Sequence, residues 1–91
     1  MEFKWDPKKA AINLRKHKVS FGEAATVMND NLSITFTDPD HSDKEDRFIT
    51  IGLSNRERLL MVAHTDNGKI IRIISARELT RAERKAYEEE I

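Results

Sequence analysis

Cysteine is missing from the chain altogether, so no disulfide framework holds it together and no thiolate serves as nucleophile or zinc ligand. No apolar run approaches the roughly 20 residues that span a bilayer. The opening "MEFKWDPKKAA" carries charges throughout and lacks the apolar centre of a secretory signal. There is no internal repeat, low-complexity tract or linker. Neither sign of charge prevails, with 16 Lys and Arg against 16 Asp and Glu. These absences leave a soluble, cytoplasmic protein of one domain, residues 1–91, as the expectation. A core is possible at 91 residues but marginal without a disulfide, a metal or a partner.

The zero net charge hides segregation. Residues 1–20 carry six basic against two acidic side chains (+4), residues 21–46 one against seven (−6), and residues 47–91 nine against seven (+2). A neutral total of this kind is compatible with a basic face.

Asp6 and Pro7 read as N-cap and first residue of a helix in which Ala11, Leu14 and Ala10 form the apolar stripe. Ser20 and Glu23 fit a capping box for a second helix that buries Phe21, Ala24, Ala25 and Met28. "LSITFT" alternates as a strand should, and "TDPDHSDKED" is a polar loop with nothing to bury. Arg47–Leu53, Arg58–Thr65 and Lys69–Ala76 read as consecutive antiparallel strands, joined by "SNRE" and by "DNGK", whose Asn-Gly is a strong hairpin signal. Thr80 and Glu83 fit a second capping box, opening a last helix. With "FKW" as a short first strand, the order is β-α-α-β-β-β-β-α. It predicts an α+β domain with two N-terminal helices on an antiparallel meander sheet and a C-terminal helix.

"RIISAR", residues 72–77, poses the sharpest question. Ile70, Ile71, Ile73 and Ile74 are apolar on both strand faces, yet the run carries Arg72 and Arg77. Arginine stays charged and is costly to bury unpaired. Five residues separate the two, so a regular strand turns them to opposite faces, with Ser75 beside Arg77. If Leu53 faces Arg58, Arg47 falls opposite His64. Across the Asn-Gly turn, one register puts His64 on the side of Ser75 and Arg77, and a one-residue slip puts it on the side of Arg72. Either gives arginine and histidine on one face, a combination suited to phosphodiester chemistry. Arginine holds a phosphate bidentately, and histidine moves a proton near neutral pH.

Other polar residues invite plainer readings. His17 suits a helix C-terminus as a cation, and His41 belongs to a solvated acidic loop without metal-ligand spacing. No metal or cofactor is expected. Ser75 has no base fixed by a third group, so it does not read as a nucleophile. Trp5 suits either base stacking or a core contact.

"FKWDPKKAAINLRKHKVSFGEAATV", "DPDHSDKEDRFITIG" and "HTDNGKIIRIISARELTRAERKAYEEE" together resemble the BrnT-type toxins of bacterial type II toxin–antitoxin systems. The resemblance spans nearly the whole chain. It implies a RelE-like fold and a ribonuclease that arrests growth by cutting RNA. It also implies a BrnA-like ribbon-helix-helix antitoxin, an assembly with at least two copies of each chain, and contact with operator DNA only through the antitoxin. Carried onto these residues, the site falls on Arg77 first, then Arg72 and His64, with Arg47, Lys16, Trp5 and Ser75 as RNA contacts. A binding module of the same fold without catalysis is the alternative. The family often has glycine after Lys-His, where this chain has Lys18, a position that favours positive φ.

Overall fold

The computed structural model describes residues 1–39 and 46–90, so His41 and its acidic neighbours Asp40 and Asp43 lie outside the described residues. Along the chain run β1 (Glu2–Lys4), α1 (Pro7–His17), α2 (Phe21–Thr26), a 3-10 turn (Val27–Asn29), β2 (Ile34–Thr37), β3 (Arg47–Leu53), β4 (Leu59–Asp66), β5 (Ile70–Glu78) and α3 (Arg81–Glu90). The strands form one sheet in the order β1-β5-β4-β3-β2. Strands β2 to β5 pair antiparallel, and β1 joins the far edge parallel to β5.

The helix starts follow from their capping residues. Asp6 accepts a hydrogen bond from the Lys8 amide at 2.8 Å, with Pro7 in the first turn. Ser20 accepts from the Glu23 amide at 3.0 Å. Glu23 does not return the bond as a capping box requires. Its buried carboxylate instead accepts from Ser54 Oγ at 2.7 Å and Arg58 Nε at 2.9 Å, with a further close bond from Arg58 Nη2. Thr80 and Glu83 form the complete box, at 2.8 and 3.2 Å. Helix α1 ends at Lys18, which takes the left-handed conformation with φ 60° and ψ 29°. Lysine there accepts a backbone cost that glycine avoids.

One sheet face, the inner one, carries α1, α2 and the core. Val19, Phe21, Ala24 and Val27 pack on Leu60, Val62, Ile71, Ile73 and Ala76. The expected stripe on α1 is corrected here: Ala11 and Leu14 face outward, and the residue this helix buries is Asn13. The cause is an unfinished strand edge. Strand β1 pairs with β5 only at Ile70–Arg72, which leaves the backbone of Ala76 without a strand partner on that side. The Asn13 amide fills that gap. It donates to Ala76 O at 2.8 Å and Val19 O at 2.9 Å, and accepts from the Ala76 amide at 3.1 Å. Buried backbone groups must be paired, and here a helix side chain does what a strand would.

Both hairpin registers differ from expectation. Leu53 faces Leu59, so Arg58 belongs to the turn, and Arg47 stands opposite Thr65 rather than His64. Glu57, with φ 60°, bends this turn and lets the Arg58 side chain leave for Glu23. In the second hairpin Gly68 (φ 91°) and Lys69 form the tip, because Asn67 accepts from the Lys69 and Ile70 amides and Asn67 pairs with Ile70. Further along, a β-bulge breaks the ladder: Ala63 pairs with Ser75, but His64 pairs with Ile73, leaving Ile74 as the extra residue.

Candidate active site on the outer sheet face

The bulge decides where the arginines point. One extra residue in β5 reverses the alternation beyond it, so Arg72, opposite Thr65, shares a face with Ser75, opposite Ala63, and Arg77, opposite Met61. This is the outer face, away from α1 and α2. Arg47, opposite Thr65, joins it from β3, and Lys4, beside Arg72, joins it from β1. Lys4, Arg72, Thr65 and Arg47 therefore form one row across four strands.

The two strand arginines differ in what they already hold. Arg77 closes its fork on Glu83, Nη1 to Oε1 at 2.8 Å and Nη2 to Oε2 at 3.0 Å. It also donates to Glu78 O at 3.2 Å and Met61 Sδ at 3.3 Å. The Arg77 guanidinium, helped by the Thr80 amide, pushes the Glu83 carboxyl down to about 2. A carboxylate that weak in basicity is a poor general base near neutral pH. Arg72 is exposed and has no ion-pair partner among the described residues. Arg47 is half-buried, and among the described residues its buried Nε has no hydrogen-bond partner. Among the described residues the outer face thus offers one committed arginine and two without an ion-pair partner.

Arg72 separates two clefts. The larger, about 450 Å³, is lined by Lys4, Asp46, Thr65, Asp66 and Asn67 beside Arg72. The smaller lies toward the start of α1. Among the described residues no three His, Asp or Glu side chains converge as a metal site would require.

His64 is not part of this group. It points to the inner face at 3% exposure, where its Nε2 bonds to Thr50 Oγ1 at 2.7 Å, and Thr50 bonds on to Thr35 at 2.7 Å. Its ring stacks on Phe48 with centroids 6.0 Å apart. Burial pushes its pKa below the usual histidine value. Neither register considered from the sequence led here, because the turn tip sits one residue later and the bulge follows. Trp5 packs edge-on against Phe21, centroids 6.2 Å apart, yet stays 38% exposed. Lys16 lies exposed on α1, apart from the outer-face row, and Ser75 is exposed on that face.

Sequence reasoning missed Lys4, whose place depends on a parallel pairing that a three-residue strand does not announce. It also missed the role of Glu83, which it read only as a capping residue. Its position six residues beyond Arg77, across a strand-to-helix corner, carried the signal.

The outer sheet face of this small α+β protein thus gathers cations and is crossed at one end by the C-terminal helix. The model of the family described as "Ribonuclease toxin, BrnT, of type II toxin-antitoxin system" matches residues 5–83, and the chain belongs to that family. The 1.1 Å crystal structure of the Brucella abortus ribonuclease toxin BrnT has the same fold, with a TM-score of 0.68 at 24% identity, covering 89% of this chain and 99% of that one. No curated protein matches the chain.

Proposed function

We propose that this chain is an RNA-cleaving toxin whose reaction takes place on the outer sheet face. The observation that carries the reading is Arg72, an exposed guanidinium with no ion-pair partner among the described residues, in a row with Lys4 and Arg47. Arg72 holds the scissile phosphate through its planar fork. As an oxygen nucleophile adds to phosphorus and the P–O bond to the leaving nucleotide breaks, negative charge builds on the pentacoordinate phosphate, and the guanidinium offsets it. Arg77 takes the second place, because its fork is free for a phosphate only when Glu83 gives way. His64, neutral and on the opposite face, is left out of the reacting group, and rate depends on arginine electrostatics more than on side-chain proton transfer. Thr65 and Ser75 offer hydroxyls to the RNA on the same face.

The family supports a protein antitoxin as partner. We infer a BrnA-like ribbon-helix-helix protein, which neutralises the RelE-like toxin in the cytoplasm in an assembly with at least two copies of each chain and represses the shared operon. A non-catalytic binding module is the competing reading, favoured by the burial of His64 on the opposite face from Arg72. Expression with and without the neighbouring antitoxin gene, scoring growth arrest together with RNA cleavage by the purified chain, separates the two. Arrest and cleavage, both relieved by the antitoxin, support the enzyme. RNA binding without cleavage supports the module.

A further inference from the structure

Between the first turn of α1 and the bulge of β5, Asp6, Lys9, Arg47 and Arg72 line a cleft of about 150 Å³ with Ile73 and Ile74. Three cations meet there against one carboxylate. That carboxylate already serves as N-cap, its Oδ1 accepting from the Lys8 amide at 2.8 Å. Among the described residues neither Lys9, Arg47 nor Arg72 has an ion-pair partner. Among the described residues the buried Arg47 Nε has no hydrogen-bond partner. A buried guanidinium N–H without an acceptor is costly, and three like charges gathered against a single carboxylate repel. An anion in the cleft relieves that repulsion. The cleft has room for a phosphate group and is small beside a whole nucleotide. The backbone also suits the position, because β1 pairs with β5 no further than Arg72 and leaves the β5 edge beyond it without a strand.

We propose that this cleft is a phosphate subsite, which holds an RNA backbone phosphate next to the one that reacts at Arg72. It rests on the ribonuclease reading for its substrate, but its anion chemistry stands on the cleft alone. Arg47 supplies guanidinium charge, Lys9 the mobile charge, and Arg72 lies between this phosphate and the scissile one. The subsite would fix the register of the strand on the face, which is binding rather than chemistry.

The test uses the full chain and inorganic phosphate, followed by amide NMR, with sodium chloride at matched ionic strength as control. Phosphate should shift the Lys9, Ile73 and Ile74 amides saturably, beyond the chloride effect. Arg47→Gln and Lys9→Gln should each weaken that binding about tenfold or more. Lys9 is exposed, so its variant keeps the fold and guards against loss of structure in the Arg47 variant. With RNA, Lys9→Gln should raise KM while kcat holds, and lower the slope of log affinity against log salt by about 0.7. Shifts no larger than those from chloride, or parental affinity in both variants, would overturn the subsite. If phosphate binds in the cleft but the parent chain cuts no RNA, the ribonuclease reading fails and the subsite stands. Should the parent cut RNA while phosphate ignores the cleft, the subsite alone fails.

Discussion

Arg72 and Arg77 stand on one face of the sheet although five residues separate them, because Ile74 is extra in the ladder between them. An apolar strand can carry two arginines for this reason. The bulge turns both to the side that α1 and α2 do not cover, while Ile71, Ile73 and Ala76 keep the core. Local geometry, rather than pairing in the interior, resolves the conflict between charge and burial.

The Arg77–Glu83 pair should make stability depend on acid. The Glu83 carboxyl is held at about 2 in the folded chain against an ordinary 4.5, so the unfolded chain binds more protons in between. The contribution is therefore present above about pH 4.5 and is lost as pH falls toward 2. Both side chains are about one-third exposed, so solvent screening keeps the effect small. Subtracting urea melts of Glu83→Gln from those of the parent at each pH isolates it. The difference should shrink across that window, and a difference that stays constant would contradict the pair's role.

Lys18 occupies a left-handed position without the freedom of glycine. Lys18→Gly should stabilise the chain by about 0.5–1 kcal/mol, the relief of backbone strain less the added freedom of the unfolded chain. The Arg58 bond to the Lys18 carbonyl, 3.0 Å, uses only backbone at this residue and survives the change. A lower urea midpoint in the variant would show that the lysine side chain contributes more than its strain costs.

Asn13→Ala should cost about 1–3 kcal/mol, because it leaves the Ala76 amide and carbonyl and the Val19 carbonyl buried without partners. Equilibrium unfolding in urea measures this as a lower midpoint at unchanged slope. A midpoint equal to the parent's would mean that water or a shifted helix replaces the amide.

The sequence made the helices legible where a capping residue has one local job. Asp6, Ser20 and Thr80 each cap within three residues of themselves, and each start is found where they stand. Strand Arg47–Leu53 was legible too, from β-rich residues between polar loops. What failed was anything fixed by a distant partner. Glu23 forgoes half its capping box for Arg58, 35 residues away. Asn13, in the middle of a polar helix, gives no sign that it will meet Ala76, 63 residues on. The strand partners of His64 and Arg47 differ from expectation because a register depends on one residue at a turn. The bulge at Ile74 has no glycine or proline to mark it.

The cleavage of RNA by purified Arg72→Ala, beside the parent, Arg77→Ala and His64→Ala, tests the central claim most directly. Losing a phosphate contact made in the transition state costs about 100- to 1,000-fold in rate, and Arg72→Ala should show that loss with its fold intact. Arg72→Lys should not restore it, since an ammonium keeps the charge but not the fork. Arg77→Ala should lose less, and His64→Ala least. If Arg72→Ala cuts RNA as fast as the parent, the reacting phosphate is held elsewhere and the outer-face account is wrong.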